Sequence, residues 1–460
     1  MDQATSPYPE AFLRRMESRL QNQFEAFVQA LNENAPSSIR LNPRKASDRF
    51  QTEPEIPWCP LGRSLKVRPS FTSDPLFHAG AYYVQEASSM FLWYLLSQIA
   101  DPNRPLRVLD LSAAPGGKTT LVQSFFSTEA LIVANEPIGS RNKILRQNLT
   151  RWGCDNVIIT QNDPAAFQSL PEYFDMLLID APCSGEGLFR KEPSAIQEWS
   201  ESHLNHCARR QKRILHDALP CLRPGGILIY STCTFNEAEN EAHLEDLIAE
   251  DRFEPMDIDL PSTFGFVKSE KSPSCFYAYP HLCRGEGFFI GALRKPHRSS
   301  TAQPLRHSKR LPAIFKTASA EDTSWLDETT GYTFFDRGDH RIAMPTPFLN
   351  DYLSLSKALY ITGSGLNMGR IYHGQLRPSP ELALSFNLSS RIPRIDLDRS
   401  QAQRYLSHQN LLLPDIATTG WHLASHDNLG MGWINVLKNG QIKNAYPTAW
   451  RILRPDRLRS

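Results

Sequence analysis

The chain has 460 residues, 41% of them hydrophobic and 10% aromatic, enough apolar material for a sizeable core and, at roughly 150 residues per domain, for about three domains. Lys and Arg number 50 against 49 Asp and Glu, so net charge announces no polyanionic partner and any nucleic-acid surface must be local. Eight cysteines without a C-x-x-C pair exclude a disulfide framework and a zinc ribbon and point to a reducing, cytoplasmic setting.

The opening MDQATSPYPEAF has no basic segment followed by an apolar core, and the apolar run around MFLWYLL is too short to span a membrane. A soluble, unprocessed chain is expected. From Pro9 to Asn34 apolar residues recur at helical spacing (AFLRRMESRLQNQFEAFVQAL), and a mixed stretch with SIRLNP, IPWCPLG and HAGAYYVQEASSM follows. Residues 1–100 are read as an α+β extension packed on the next domain.

Between Leu106 and Arg294 one unit keeps returning: a short apolar run, a polar loop, then a helix-period stretch. The strands are LRVLDL, ALIVANE, NVIIT, FDMLLID, GILIYST and GEGFFIGALR; the helices include SRNKILRQNLTRWG, HLNHCARRQKRILHDALPCL and EAENEAHLEDLIAE. This is the βαβ signature of a parallel sheet, so residues 101–296 are predicted to form a Rossmann-like α/β domain. The Ser-, Pro- and base-rich PHRSSTAQPLRHSKR breaks the rhythm, and residues 297–312 are predicted to be a linker. Residues 313–460, with short strands and Trp325, Trp421, Trp433 and Trp450, are predicted to form a separate α+β or β-rich domain.

The first strand runs straight into SAAPGGKTT, the strand–glycine turn–helix arrangement whose backbone N–H groups face an anionic ligand group. Gly116 and Gly117 permit close backbone approach. A phosphate-binding P-loop is the rival reading, but Ser112 stands where that motif requires its first glycine. About twenty residues on, Glu136 ends the second strand, placed to accept hydrogen bonds from ribose hydroxyls. Asp163, after the third strand, is a candidate for an adenine amino group.

The fourth strand ends in LLIDAPCSGEGLFRKEP and the fifth in LIYSTCTFNEAENE. Residues just past neighbouring strand ends line one crevice, so Asp180, Cys183, Thr232 and Cys233 are expected to converge. A thiolate suits addition to an electron-poor ring carbon, and Lys118, Arg190 or Lys191 nearby could favour it. Cys154, Cys207 and Cys221 lie in or after helical stretches and read as packing residues. Spacing alone leaves open which of Cys183 and Cys233 attacks.

The ordered set SAAPGGKT, ANE, IDAPCSGEGLFRK, RRQKRIL, LRPGG and YSTCT resembles the NSUN/Fmu family of S-adenosylmethionine-dependent RNA cytosine-5 methyltransferases. PWCPLG, YYVQEASSM and the C-terminal SGLNMGRI, GWHL, MGWINV and IKNAYP are similar to its bacterial RsmF-type branch, which acts on 16S ribosomal RNA. The resemblance implies a class I methyltransferase sheet and a PUA-like RNA-binding tail. It assigns nucleophilic attack to Cys233, product release to Cys183, and the cytosine N3/N4 edge to Asp180. Lys118 joins these as a catalytic residue. S-adenosyl-L-methionine would be held by Ala113, Ala114, Pro115, Gly116, Gly117, Lys118, Thr119, Glu136, Asp163 and Asp180. The implied partner is ribosomal RNA or the small ribosomal subunit; the alternatives are a transfer RNA cytosine-5 methyltransferase or a non-catalytic RNA-binding ribosome-assembly factor on the same fold. Arg190, Lys191, Arg209, Arg210, Lys212 and Arg213 form a candidate phosphate-contacting group. No metal and no membrane are expected, and the oligomeric state cannot be read from the sequence.

Overall fold

A computed structural model describes residues 6–297, 315–316, 319–411, 413 and 418–453. The predicted linker therefore lies, apart from its first residue, outside the described residues.

The central sheet contains β1 (Arg107–Asp110), β2 (Leu131–Asn135), β3 (Val157–Thr160), β4 (Phe174–Asp180), β5 (Leu222–Thr232), β6 (Phe266–Lys268), β7 (Cys275–Ala278), β8 (Phe288–Arg294) and β9 (Ile361–Ser364). Their spatial order is β6-β7-β8-β5-β4-β1-β2-β3-β9, with Glu254–Pro255 paired alongside β8. Strands β1 to β5 are parallel, and β8 runs antiparallel between β5 and β7. The apolar runs follow from double-sided burial. Leu109, Val133, Ile158, Leu177 and Leu228 enter one core, while their neighbours Val108, Ile132, Met176, Leu178 and Ile229 enter the other. That division is the two-residue alternation of a strand.

The chain proceeds from β1 through β2 to β3 on one side and returns through β4 to β5 on the other. The reversal makes the carboxyl end of β1 a switch point, flanked by loops that diverge and leave a crevice. Helices α1 (Gly117–Phe125), α2 (Gly139–Trp152), α3 (Glu201–Ala218) and α4 (Glu241–Ala249) fill the crossovers.

Ahead of this sheet, helices Glu10–Leu20 and Phe24–Leu31 precede a four-stranded antiparallel sheet. Phe12, Met16, Phe27 and Leu31 share the core of the central sheet. Phe12 packs edge-on against Phe189 at 5.0 Å, and Phe27 against Phe235 at 5.3 Å.

C-terminal to residue 314 the described residues form two further sheets. One contains Tyr332–Arg337, His340–Pro345, Leu366–Tyr372 and Gln375–Pro378 together with Phe315–Lys316; the other contains Arg394–Asp396, Gly420–His426, Leu429–Val436 and Ile442–Asn444. From the region predicted as a separate domain, β9 pairs antiparallel with β3 through Ile361–Thr160 and Ser364–Ile158. A bare β3 edge would present unpaired backbone groups, and β9 covers them. The last sheet packs on the N-terminal region, where the buried His78 Nδ1 stands 3.0 Å from the Tyr446 hydroxyl.

Candidate active site

The loop after β1 is held from three sides. Backbone bonds join Leu111 N–H to Leu178 O and Ala113 N–H to Asn135 O. From α2, Arg141 donates to Ala114 O at 2.9 Å and Asn148 to Pro115 O at 2.8 Å. Ala113 and Ala114 are buried with Leu145 and Leu149 of that helix, so small side chains let the loop lie on it. Gly116 adopts φ 114°, a left-handed conformation that suits glycine, and α1 begins at the next residue with its first N–H groups free of intrahelical partners.

Thr119 turns inward and donates to Asp110 Oδ2 at 2.6 Å. Burial lifts Asp110 to about 7, and its Oδ1 is buried without a hydrogen-bond donor. Glu136 is likewise buried: Oε1 accepts from Ile138 N–H at 2.9 Å, while Oε2 has no hydrogen-bond donor, with the Arg141 guanidinium 3.4 Å away. Asp163 is exposed; it accepts from Ala165 N–H at 3.1 Å and faces Arg213 at 3.4 Å.

Across the switch point, Asp180 ends β4. Its Oδ2 pairs with Lys118 Nζ at 2.9 Å, and its Oδ1 accepts from Ser231 Oγ at 2.8 Å. Burial alone would pull the Lys118 ammonium down, but Asp180, Cys233 and Asp110 outweigh it and the net shift is upward. Lys118 also lies 5.1 Å from the Phe288 ring centre.

The two cysteines meet. Cys183 Sγ and Cys233 Sγ are 3.1 Å apart, neither is in a disulfide, and both are half-buried. The hydrogen bond to Cys233, followed by burial, pushes the Cys183 thiol well above its usual range. Thr232 instead faces inward and donates to Asn240 Oδ1 at 2.5 Å. Cys207 and Cys221 are buried, and Cys154, two residues past the end of α2, is half-buried.

Several positioning residues escaped the sequence reading. Asn135 donates to Leu111 O and Asn162 O and accepts from Thr160 Oγ1 and Asn162 N–H, tying three strand ends together. The buried Arg40 reaches α1 from the N-terminal sheet, donating to Gly117 O, Thr120 O, Thr120 Oγ1 and Ser124 Oγ. Glu186, buried in the Cys183 loop, accepts from Arg15, Trp199 Nε1 and Phe235 N–H. Arg19 donates to Phe235 O at 3.0 Å, so the N-terminal helix braces both cysteine loops. The ENE of the fifth-strand motif was visible in the sequence, but its contacts were not.

Of the basic candidates, Arg190 requires correction. Its guanidinium is buried, pairs with Glu286 at 3.0 Å and donates to Gly285 O and Ala30 O. A buried carboxylate needs such a counter-charge, so Arg190 is committed to the fold and cannot reach phosphate. Lys191, Arg209, Arg210, Lys212 and Arg213 are exposed; Lys212 pairs with Asp246 and Arg213 with Asp163. A groove of about 550 Å³ elsewhere is lined by Lys143 and Arg146 of α2 with Arg370, Arg377 and Trp450. It contains none of the predicted site residues.

Residues 97–294 match the profile of the 16S rRNA methyltransferase RsmB/F family, residues 8–87 the N-terminal domain of 16S rRNA methyltransferase RsmF, and residues 392–452 the RsmF PUA domain. A crystallised methyltransferase homolog from Pyrococcus horikoshii is 30% identical, with TM-score 0.54 over 63% of this chain and 95% of its own. The chain belongs to the RsmB/F methyltransferase family. Its sheet is the Rossmann-like methyltransferase fold, preceded by an RsmF-type N-terminal domain and followed by a PUA domain. Ribosomal RNA small subunit methyltransferase F of Escherichia coli K12 is 38% identical over 316 residues, and the alignment spans 64% of this chain and 65% of that protein. NSun6 from P. horikoshii, crystallised with SFG, shares the fold at 20% identity and TM-score 0.55, over 63% of this chain and 99% of its own. In this RsmB/F-family chain the segments matched to the methyltransferase and PUA domains leave residues 295–391 between them, and β9 comes from that stretch. Among the described residues no cluster of metal-ligating side chains is present, and no helix is long and apolar enough to cross a membrane.

Proposed function

We propose that this chain is an S-adenosylmethionine-dependent RNA cytosine-5 methyltransferase acting on 16S ribosomal RNA in the cytoplasm. The observation that carries the reading is the pair of thiols 3.1 Å apart at neighbouring strand ends, beside the Lys118–Asp180 ion pair. A lone nucleophile would account for one cysteine. Attack followed by release accounts for two.

The residues around the glycine turn fit the cofactor. Glu136 Oε2 is a buried acceptor without a hydrogen-bond donor, the chemistry a ribose hydroxyl complements. The backbone of Ala113 to Thr119 would border the methionine portion with Lys118 and Asp180, and Asp163 the adenine. When bound, the cofactor supplies an electrophilic methyl group on a sulfonium.

Cytosine C5 is a poor nucleophile. The Cys233 thiolate adds to C6, and the C5–C6 double bond opens so that its electron pair is directed to C5. Asp180, fixed by Lys118 and Ser231, holds the N3/N4 edge, where a carboxylate accepting a hydrogen bond favours the N3-protonated, more electrophilic ring. C5 takes the methyl group; a base then removes the C5 proton, the double bond reforms and Cys233 leaves as thiolate. Cys183, held as a thiol against Cys233, stabilises the departing thiolate by hydrogen bonding, and release depends on that contact. Covalent catalysis thus divides one difficult displacement into easier steps. The target base must leave any stack to reach the strand ends, which favours an unpaired segment of RNA.

Bisulfite sequencing of ribosomal RNA from cells with and without the gene tests this directly. The reading expects loss of one or more discrete protected cytosines in 16S RNA. An unchanged ribosomal pattern with loss of a transfer RNA cytosine would transfer the activity to that substrate, and no change in either would refute it.

A further inference from the structure

The motif after Cys233 contains a carboxylate, Glu239, that the reaction above does not use. It is fully buried and lies between the two cysteine loops. Its Oε2 accepts from Ser184 N–H at 2.9 Å and Gln211 Nε2 at 3.1 Å, and its Oε1 accepts from Ser184 Oγ at 2.5 Å. Because Ser184 spends its only hydroxyl proton on Glu239, its 2.9 Å contact with Thr234 Oγ1 must be donated by Thr234. A directed chain therefore runs from the residue after Cys233, through the residue after Cys183, to the carboxylate.

Two further contacts close the clamp. Gln211 Nε2 also donates to Pro182 O at 3.0 Å, immediately before Cys183, and Tyr230 donates to Glu239 O at 2.7 Å on the strand leading to Cys233. Gln211 Oε1 accepts from His243 Nε2 at 3.1 Å. All three donors to the carboxylate, the Ser184 N–H, the Ser184 hydroxyl and the Gln211 amide, are neutral and partly offset the burial that raises Glu239, the pattern an ionised carboxylate requires.

The charges on the two sides of the thiol pair are opposite. Lys118 attracts Cys233, whereas on Cys183 the Cys233 contact and burial disfavour negative charge first and Glu239 adds to them. We infer that Glu239 is a positioning residue that fixes the order of the two cysteines: through Ser184 and Thr234 it holds the sulfurs together, and it sets a buried negative charge on the Cys183 side of the pair against the Lys118 ammonium on the Cys233 side, so that Cys233 attacks. This deepens the cytosine-5 reading and rests on it for its catalytic meaning.

The test is competitive alkylation of the folded, free protein with iodoacetamide at pH 8, with the modified cysteine peptides quantified by mass spectrometry. The wild type is expected to react at Cys233 well before Cys183. Glu239→Gln should raise the relative labelling of Cys183 by about tenfold, the equivalent of one pKa unit, and Glu239→Asp, which keeps the charge, should restore the order. If Glu239→Gln fails to fold, Ser184→Ala removes the shared hydroxyl and is expected to shift the ratio in the same direction by about threefold. An unchanged Cys233-to-Cys183 ratio in the folded variants overturns the inference. No RNA or cofactor enters the assay, so its failure is distinct from failure of the wild type to methylate RNA, which would refute the functional reading instead.

Discussion

Cys183 and Cys233, fifty positions apart in the chain, place their sulfurs 3.1 Å apart because β4 and β5 are parallel neighbours whose loops leave the sheet on the same side. That adjacency separates the two roles experimentally. Cys183→Ala removes the thiol that aids release but not the attacking sulfur. The variant is expected to accumulate an RNA-linked species that migrates slowly on a denaturing gel, while turnover falls. Normal turnover without that band would make Cys183 a packing residue.

Lys118 and Asp180 form a half-buried pair at 2.9 Å beside these thiols. Replacing Lys118 by Met keeps the apolar stem but leaves Asp180 without its cation. Single-turnover methyl transfer should fall about 100-fold, the range found when a preorganised charge is removed from a reacting centre. A rate within threefold of wild type would place the pair outside the chemistry.

Arg40 is fully buried, donates to α1 at its first turns and lies 4.5 Å from the Trp152 ring centre. Arg40→Met leaves several buried carbonyl and hydroxyl acceptors without donors. It should lower unfolding free energy by about 3 kcal/mol and weaken cofactor binding, as read by denaturant titration and calorimetry. An unchanged unfolding midpoint would show that the N-terminal sheet does not support the glycine turn.

Asp110 supplies a pH signature. Burial raises it from 3.8 to about 7, so between those values the native state binds a proton that the unfolded chain releases. Stability therefore falls as pH rises from about 4 to about 7 and levels off above. By linkage the effect reaches about 4 kcal/mol. Asp110→Asn keeps an acceptor for Thr119 and removes the titration. The stability difference between variant and wild type should grow in favour of the variant across this interval. A constant difference would contradict the buried, proton-holding state of Asp110.

The central strands were legible because helices cover both faces, which leaves uninterrupted apolar runs such as FDMLLID; β4 occupies those seven residues, Phe174–Asp180. The convergence of Asp180, Cys183 and Cys233 was legible too, since parallel order alone brings consecutive strand ends together. What escaped was set by distant partners. β9, ITGS, has neither apolar alternation nor length, and becomes a strand because β3 offers an edge. Arg190 reads as a surface base in FRKEP until Glu286, far along the chain, claims it. Glu239 is one of several acids in NEAENE, and only the fold distinguishes it, fully buried, from its half-buried neighbour Glu237.

The most direct test is to trap the covalent step on the wild-type protein. An RNA carrying 5-fluorocytosine in place of the target base blocks removal of the C5 substituent, so an attacking cysteine remains attached to C6 after methyl transfer. Incubated with this RNA and S-adenosylmethionine, then digested, the protein is expected to yield one nucleotide-bearing peptide, that containing Cys233. A nucleotide on the Cys183 peptide, or no adduct from an RNA that is methylated in its unfluorinated form, would contradict the account.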